Sequence, residues 1–306
     1  MLPSGIHIAI RTASSPEGQT GQHRVAASHE SWARDTVAFG PWQDDARSGF
    51  LSSKSVPEDV RFPVVIVDEC HSSMDEAFAL VEKDILPEWG SVIAVSQDCG
   101  RGQLRRAWKS PPGNVYGSLR LPNHSSRLDL WGDCMDGLIP LVAGYVFCVA
   151  LEQMGAQVRL KWPNDFVFRE RKVGGMLIEE RGDVRVLGVG INLASCPDDS
   201  EMRKDTALKA GCLCTSDRSN TPLGVWKSLV NRGENIYTAL IDAFSPSEFI
   251  SLAEDRLAWI GRKVIVHEGG DYSYQARIKG LSPEGRLVLE RNGKECVLSS
   301  GSILPA

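Results

Sequence analysis

Between residues 158 and 192 the chain alternates short apolar runs with polar residues that have no packing role. Lys161-Trp162-Pro163-Asn164-Asp165 comes first. Arg171-Lys172-Val173-Gly174-Gly175 follows, then Gly188-Val189-Gly190-Ile191-Asn192. Apolar runs of this length bounded by turn residues read as strands. Glycine inside a strand weakens it and marks a close approach of backbone or ligand. Upstream lies a loop, Gln97-Asp98-Cys99-Gly100-Arg101-Gly102-Gln103, that continues to Gly113. Together these segments read as a pocket for a small molecule plus a nucleotide, built on a sheet.

The flanking patterns are mostly regular. Val64 to Val67 is β-branched and predicts a buried strand. Ser72-Ser73-Met74-Asp75-Glu76 then reads as a helix start, a serine with an acid three residues on. Gly90 to Val95 and Asn114 to Leu121 predict strands. Asp136 to Met154 predicts a long helix stopped by Gly155. Its most apolar part, Leu138 to Leu151, is shorter than the ~20 residues that span a bilayer, so a buried helix is expected. Val158 to Lys161 is a strand. Phe166 to Phe168 and Val173 to Glu179 form a hairpin around a charged turn, Arg169 to Lys172, and Val184 to Ile191 follows. Pro222 to Phe244 and Ser247 to Leu257 read as helices. From Gly261 four short strands make a small all-β module. Residues 1 to 60 show weak periodicity, but Trp32 and Trp42 argue for a strand-bearing extension packed on the main domain. No pair of amphipathic helices is legible there, so no helix-turn-helix is expected.

A chain of 306 residues, 42% hydrophobic and 24% charged, is ordinary for one large and one small globular domain. The net charge of −5 and the lack of a long basic run disfavour nucleic acid as a partner. Eight cysteines are scattered without zinc-ligand spacing, so reduced thiols in a cytoplasm and no structural metal are expected. The first fifteen residues lack the basic start and apolar core of a secretory signal.

Taken singly, each pocket motif has an ordinary reading. The Gly100 to Trp108 loop cradles an anion on backbone N–H groups and arginines, or is a solvated basic loop. Lys172 serves the site, or is an exposed hairpin lysine. Asn164 and Asp165 contact a ligand, or merely turn the chain after Pro163.

In order, however, Gln-x-x-Gly-Arg-Gly, Ser-Pro-Pro-Gly-Asn, Lys-Trp-Pro-Asn-Asp, Arg-Lys-x-x-Gly and Gly-x-Gly-Ile-Asn resemble the biotin protein ligase family over residues 64 to 300. The resemblance implies an α+β fold. A mixed sheet with flanking helices, related to class II aminoacyl-tRNA synthetases, is followed by an SH3-like β-barrel. The implied division is 1–60 as an extension without a winged helix, 61–258 as the catalytic domain and 259–306 as the SH3-like domain.

It also implies ATP, Mg²⁺ and biotin, which becomes biotinyl-5′-AMP and passes to a lysine of a biotin carboxyl carrier protein. Lys172 and Arg101 would be catalytic. Ser72, Ser73, Met74, Gln97, Gly100, Arg101, Gly102, Gln103, Lys172 and Gly175 would bind biotin. Arg101, Arg106, Trp108, Asn164, Asp165, Lys172 and Asn192 would bind ATP and the adenylate. Gln103 and Arg105 depart from the family's Gly-Arg-Gly-Arg-x-Gly-Arg loop, which bears on how firmly the adenylate is held. A homodimer is compatible with the family, whose members associate in several ways. The other readings are a ligase for lipoate or another acid, and a non-catalytic biotin- or nucleotide-binding regulator.

Overall fold

The computed structural model describes residues 1–10, 21–45, 49–55, 58, 60–103, 106–123, 131–132, 134–201, 208–213, 220–269 and 272–306. The chain divides into two compact units. The first comprises Met1–His124, Gly175–Cys196 and Cys212–Glu234; the second, Ser125–Gly174, Pro197–Gly211 and Asn235–Ala306.

The first unit is built on a mixed sheet. Its strands are β1 (Gly5–Ala9), β2 (Trp42–Asp45), β3 (Phe50–Ser53), β4 (Pro63–Cys70), β5 (Ser91–Gln97), β6 (Val115–Arg120), the later part of β9 (Arg171–Arg181) and β10 (Val184–Ile191). They run in the order β2-β3-β1-β4-β5-β6-β10-β9. β1, β4 and β5 are mutually parallel, whereas β5–β6 and β6–β10 are antiparallel. The parallel centre explains the unbroken apolar run Val64 to Val67, because such a strand is covered on both faces.

Helix α3 (Ser73–Glu82) covers one side. Met74, Ala77, Phe78 and Val81 recur at helical spacing and are buried with Val65, Val67, Val92, Ala94 and Tyr116. Helix α5 (Pro222–Ala243) brings in Trp226, which is fully buried and donates its indole N–H to Ser91 Oγ at 3.1 Å. A Cβ at Gly117 would come within 2.5 Å of that indole, so this strand position has to be glycine.

Among the described residues of 1 to 60, three strands join the large sheet. These residues also carry two helices that the sequence did not disclose, α1 (Gly21–Ser28) and α2 (Glu30–Ala38). The helices are eight and nine residues long, and each buries few side chains, chiefly Val25 and Trp32. Their periodicity is therefore faint, and their stability is tertiary. Asp35 of α2 accepts a bond from Leu223 N at 3.0 Å and one from the Thr221 hydroxyl, and so caps the start of α5.

The second unit holds α4 (Cys134–Gln153), β7 (Arg159–Lys161), β8 (Asp165–Phe168), the start of β9 and α6 (Pro246–Glu254). Helix α4 matches the expected Asp136 to Met154 to within two residues at each end. Its 20 residues reach the length and composition of a membrane-crossing helix, yet twelve of them are buried inside the protein. Gly155, at φ 88°, ends it as expected. The β8–β9 turn is tighter than the sequence implied. Arg169 and Glu170 alone take positive φ, 49° and 60°, the pattern of a two-residue hairpin turn. Lys172 therefore lies in strand β9 and not in the turn.

The C-terminal residues form β11 (Lys263–Gly269), β12 (Tyr272–Leu281), β13 (Leu287–Arg291), β14 (Lys294–Leu298) and β15 (Ser302–Pro305). They make one five-stranded sheet in the order β14-β13-β12-β11-β15. The sequence disclosed four strands, because β15 is four residues long and ends in proline. The order is open, with β14 and β15 at its two ends, and closure into the expected SH3-like barrel is not part of it. This sheet belongs to the same compact unit as α4 and α6. Trp162 Nε1 donates to Gly285 O at 3.1 Å, and Glu254 Oε1 accepts from Leu281 N at 2.7 Å.

Candidate active site

In the first unit the candidate residues gather where β4 and β5 end side by side, Cys70 opposite Gln97. The carboxyl ends of parallel strands are a common seat for ligands. Ser72 caps α3 through its hydroxyl, which accepts from Met74 N at 3.3 Å. Ser73 Oγ lies 2.8 Å from Ser118 Oγ, and both residues are buried. Gln97 is held at both ends: its carbonyl accepts from Ser73 N at 2.8 Å and its amide donates to Ser110 Oγ at 2.9 Å. The sequence does not point to Ser118, because a serine in a strand gives no local signal for such a role.

The loop after β5 is a narrow flap closed by backbone bonds. Trp108 N donates to Gly100 O at 2.8 Å, and Gly102 N to Arg106 O at 2.8 Å. Isolated bridges pair Gln97 with Ser110 and Arg101 with Ala107. A Cβ at Gly100 would meet Trp108 O at 2.5 Å, so this glycine serves the flap's own backbone. Gln103 and Arg106 are exposed at the turn. Arg101 is half-buried, and its guanidinium is paired with Asp75 and Glu179.

The glycines of β10 have a role the sequence did not disclose. A Cβ at Gly188 would meet Met74 Sδ at 2.7 Å, and one at Gly190 would meet the Trp108 indole at 2.7 Å. These glycines seat two of the candidate side chains against the sheet. Asn192 is buried at the strand end, and its carbonyl accepts from Leu213 N at 2.7 Å. Gly175 is buried within β9. Asn114 organises the next segment, its carbonyl taking the backbone N–H groups of Leu193, Ala194 and Ser195 at 2.8, 2.9 and 3.2 Å.

In the second unit Asp165, Lys161 and Lys172 form one cluster. Lys161 Nζ is 2.8 Å from Asp165 Oδ2, and Lys172 Nζ is 2.5 Å from Oδ1. β7 and β8 pair Lys161 directly with Asp165, and Lys172 comes from neighbouring β9. Burial pushes the Asp165 carboxyl up, but the Lys172 and Lys161 ammonium groups outweigh it and hold the group at about 2. Two cations on one anion leave the cluster a net positive charge. The backbone of Lys172 is fixed too, donating to Lys209 O at 2.8 Å and accepting from Gly211 N at 2.9 Å. Asn164 is half-buried in the turn between Lys161 and Asp165. The sequence shows Lys161 only as part of a motif, since the pairing of β7 with β8 is what reveals its partner.

Mg²⁺ binds carboxylate oxygens that are free to coordinate it. Both oxygens of Asp165 hold lysines, and those of Asp75 and Glu179 hold arginines. These carboxylates do not fit a protein-held Mg²⁺. Among the described residues one group brings metal-type donors within 4.8 Å of one another: exposed His71, Asp98 and Cys99. Its nitrogen and sulfur suit a softer ion than Mg²⁺. No disulfide occurs among the described residues.

The sequence pattern of the biotin/lipoate A/B protein ligase family matches residues 70–194. The bifunctional ligase/repressor BirA of Salmonella typhimurium is 34% identical over 301 residues, covering 90% of this chain and 88% of the relative. The chain therefore belongs to the biotin protein ligase family. BirA of Escherichia coli is 30% identical over 213 residues, 66% of this chain, and the match spans 61% of that relative's length. Among solved structures, the biotin protein ligase from Aquifex aeolicus in complex with biotin and ATP superimposes with a TM-score of 0.61 at 26% identity, covering 78% of this chain and 97% of the other.

Proposed function

We propose that this chain is an ATP-dependent biotin protein ligase. In the first step a biotin carboxylate oxygen attacks the α-phosphorus of ATP and pyrophosphate leaves, giving biotinyl-5′-AMP. In the second an acceptor lysine amine attacks the anhydride carbonyl, the amide forms and AMP departs. The observation that carries this reading is the Lys161–Asp165–Lys172 cluster. Joining two anions requires positive charge fixed in advance, and a lysine locked by a buried carboxylate costs no reorganisation when the reaction occurs. Lys172 is the catalytic cation on the carboxyl and α-phosphate. Mg²⁺ enters on the phosphates as part of the substrate.

Biotin is favoured over lipoate by the polar groups at the start of α3 and the end of β5. Ser73, Ser118 and Gln97 offer hydroxyl and amide groups matched to a ureido ring, which lipoate lacks. Met74 and Gly175 line the biotin side, with Gly100, Gly102 and Gln103 in the flap above. Arg106, Trp108, Asn164, Asp165 and Asn192 serve the adenylate. Residues 61–258 act as the catalytic domain and 259–306 as an SH3-like module. The acceptor is a biotin carboxyl carrier domain in the cytoplasm, with no nucleic acid involved. Incubation with ATP, labelled biotin and a carrier domain tests the reading. Label on the carrier lysine is expected; an unlabelled carrier, with no pyrophosphate released, overturns it. A larger thermal shift with lipoate than with biotin would move the assignment to the related acid.

A further inference from the structure

Arg101 is the cation that a phosphate-binding reading of the flap singles out, yet its donors are already committed. Nη1 donates to Asp75 Oδ2 at 2.6 Å and Nη2 to Asp75 Oδ1 at 3.1 Å. Nε donates to Glu179 Oε1 at 3.0 Å and Nη2 to Glu179 Oε2 at 3.1 Å. A guanidinium carries five N–H groups. With four in use, no edge remains that can grip a phosphate or carboxylate with two parallel bonds. Arg181 Nη2 adds a further bond to Asp75 Oδ1 at 2.5 Å, and its guanidinium lies over the Phe78 ring, 4.1 Å from the centroid. The two arginines and two carboxylates cancel in charge, so this corner offers an anion little attraction.

The placement of the partners is informative. Asp75 is in the first turn of α3, whose start carries Ser72 and Ser73. Glu179 is on β9. Arg101 stands on the flap, opposite Ala107. The double fork therefore ties a narrow flap to one helix and one strand.

We infer that Asp75 and Glu179 are positioning residues that hold the flap down through Arg101. Arg101 serves as a strap retaining the adenylate, and the reacting phosphate draws its positive charge from Lys172. This rests on the ligase reading and refines the role of one residue within it.

The test compares the full chain with Asp75→Asn/Glu179→Gln, with Arg101→Gln, with all three changes together and with Arg101→Lys. The first readout needs no substrate: trypsin cleavage after exposed Arg106 in the flap. A partly exposed double fork predicts cleavage faster by about three- to tenfold in the carboxylate double variant. Arg101→Lys keeps the charge but loses the fork, and should fall between that variant and the parent.

With biotin and ATP, escape of the adenylate should quicken by a similar factor and the KM for biotin should rise. In the Asp75→Asn/Glu179→Gln variant, single-turnover release of pyrophosphate should keep its rate constant. The triple variant should be no worse than Arg101→Gln alone, because all three residues act through one strap. Unchanged trypsin cleavage overturns the inference. So does a collapse of single-turnover pyrophosphate release in Arg101→Gln with none in the carboxylate variant, since that places Arg101 on the phosphates. A parent chain that releases no pyrophosphate defeats the ligase reading instead, and the proteolysis still reports on the strap.

Discussion

Replacing Asp165 with Asn removes the single anion that Lys161 and Lys172 share. The side chains of Asp165 and Lys161 are only 13% and 6% exposed, so solvent screens the loss poorly. The folded-state value of about 2, against an ordinary 3.8, corresponds to about 2 to 3 kcal/mol of folding free energy at neutral pH. The depressed value sets the sign. This stability is complete above the unfolded value of 3.8 and drains away as pH falls through about 2. About half of it survives at pH 3.

Asn keeps the volume but offers one carbonyl to two lysines and turns its own N–H groups toward one of them. Lys161 is left buried without a counter-charge, a situation that costs about 3 kcal/mol. Urea unfolding of the variant should therefore show a loss of about 2 to 3 kcal/mol at pH 7 with an unchanged m value. The difference from the parent should shrink by about half at pH 3. Pyrophosphate exchange should fall on the order of a hundredfold, because Lys172 loses its orientation. An equal deficit at both pH values, or none at pH 7, refutes the electrostatic account. A stability loss with full exchange activity refutes the positioning of Lys172.

Lys172→Ala should lose most pyrophosphate exchange yet melt close to the parent, because Asp165 keeps Lys161; parental exchange would remove Lys172 from the mechanism. Gly190→Val should displace the Trp108 indole, raising the KM for ATP and changing tryptophan fluorescence, and an unaltered spectrum would contradict that packing. Burial lifts the Asp35 carboxyl to about 6, against the pull of its Thr221 and Leu223 bonds. Here the folded value lies above the unfolded one, so stability is complete below 3.8 and declines by about 3 kcal/mol as pH rises through about 6. Stability measured at pH 4 and pH 7 should show most of that decline in the parent and little of it in Asp35→Asn. Gln103→Arg restores the cation that the family usually carries in the flap, and should slow escape of the adenylate in a chase with unlabelled biotin.

The sequence by itself determined the elements whose signals are local. The unbroken Val64 to Val67 run, the Ser72 cap with its apolar spacing and the glycine-stopped α4 each lie within a few turns or one strand. The hairpin that carries Asp165 and Lys172 is equally local. For the same reason the candidate site motifs are legible in the sequence, because they are contiguous. It did not disclose what those residues hold. The partners of Arg101 lie 26 and 78 residues away, and Thr221 lies 186 residues from Asp35. Gly188 and Gly190 look like openings for a ligand until Met74 and Trp108 are seen filling them. Helices α1 and α2 and strand β15 are faint in the sequence because short elements with few buried side chains are stabilised by what they pack against. Pairings between distant segments are set by sheet order and side-chain packing, and a linear pattern carries no record of either.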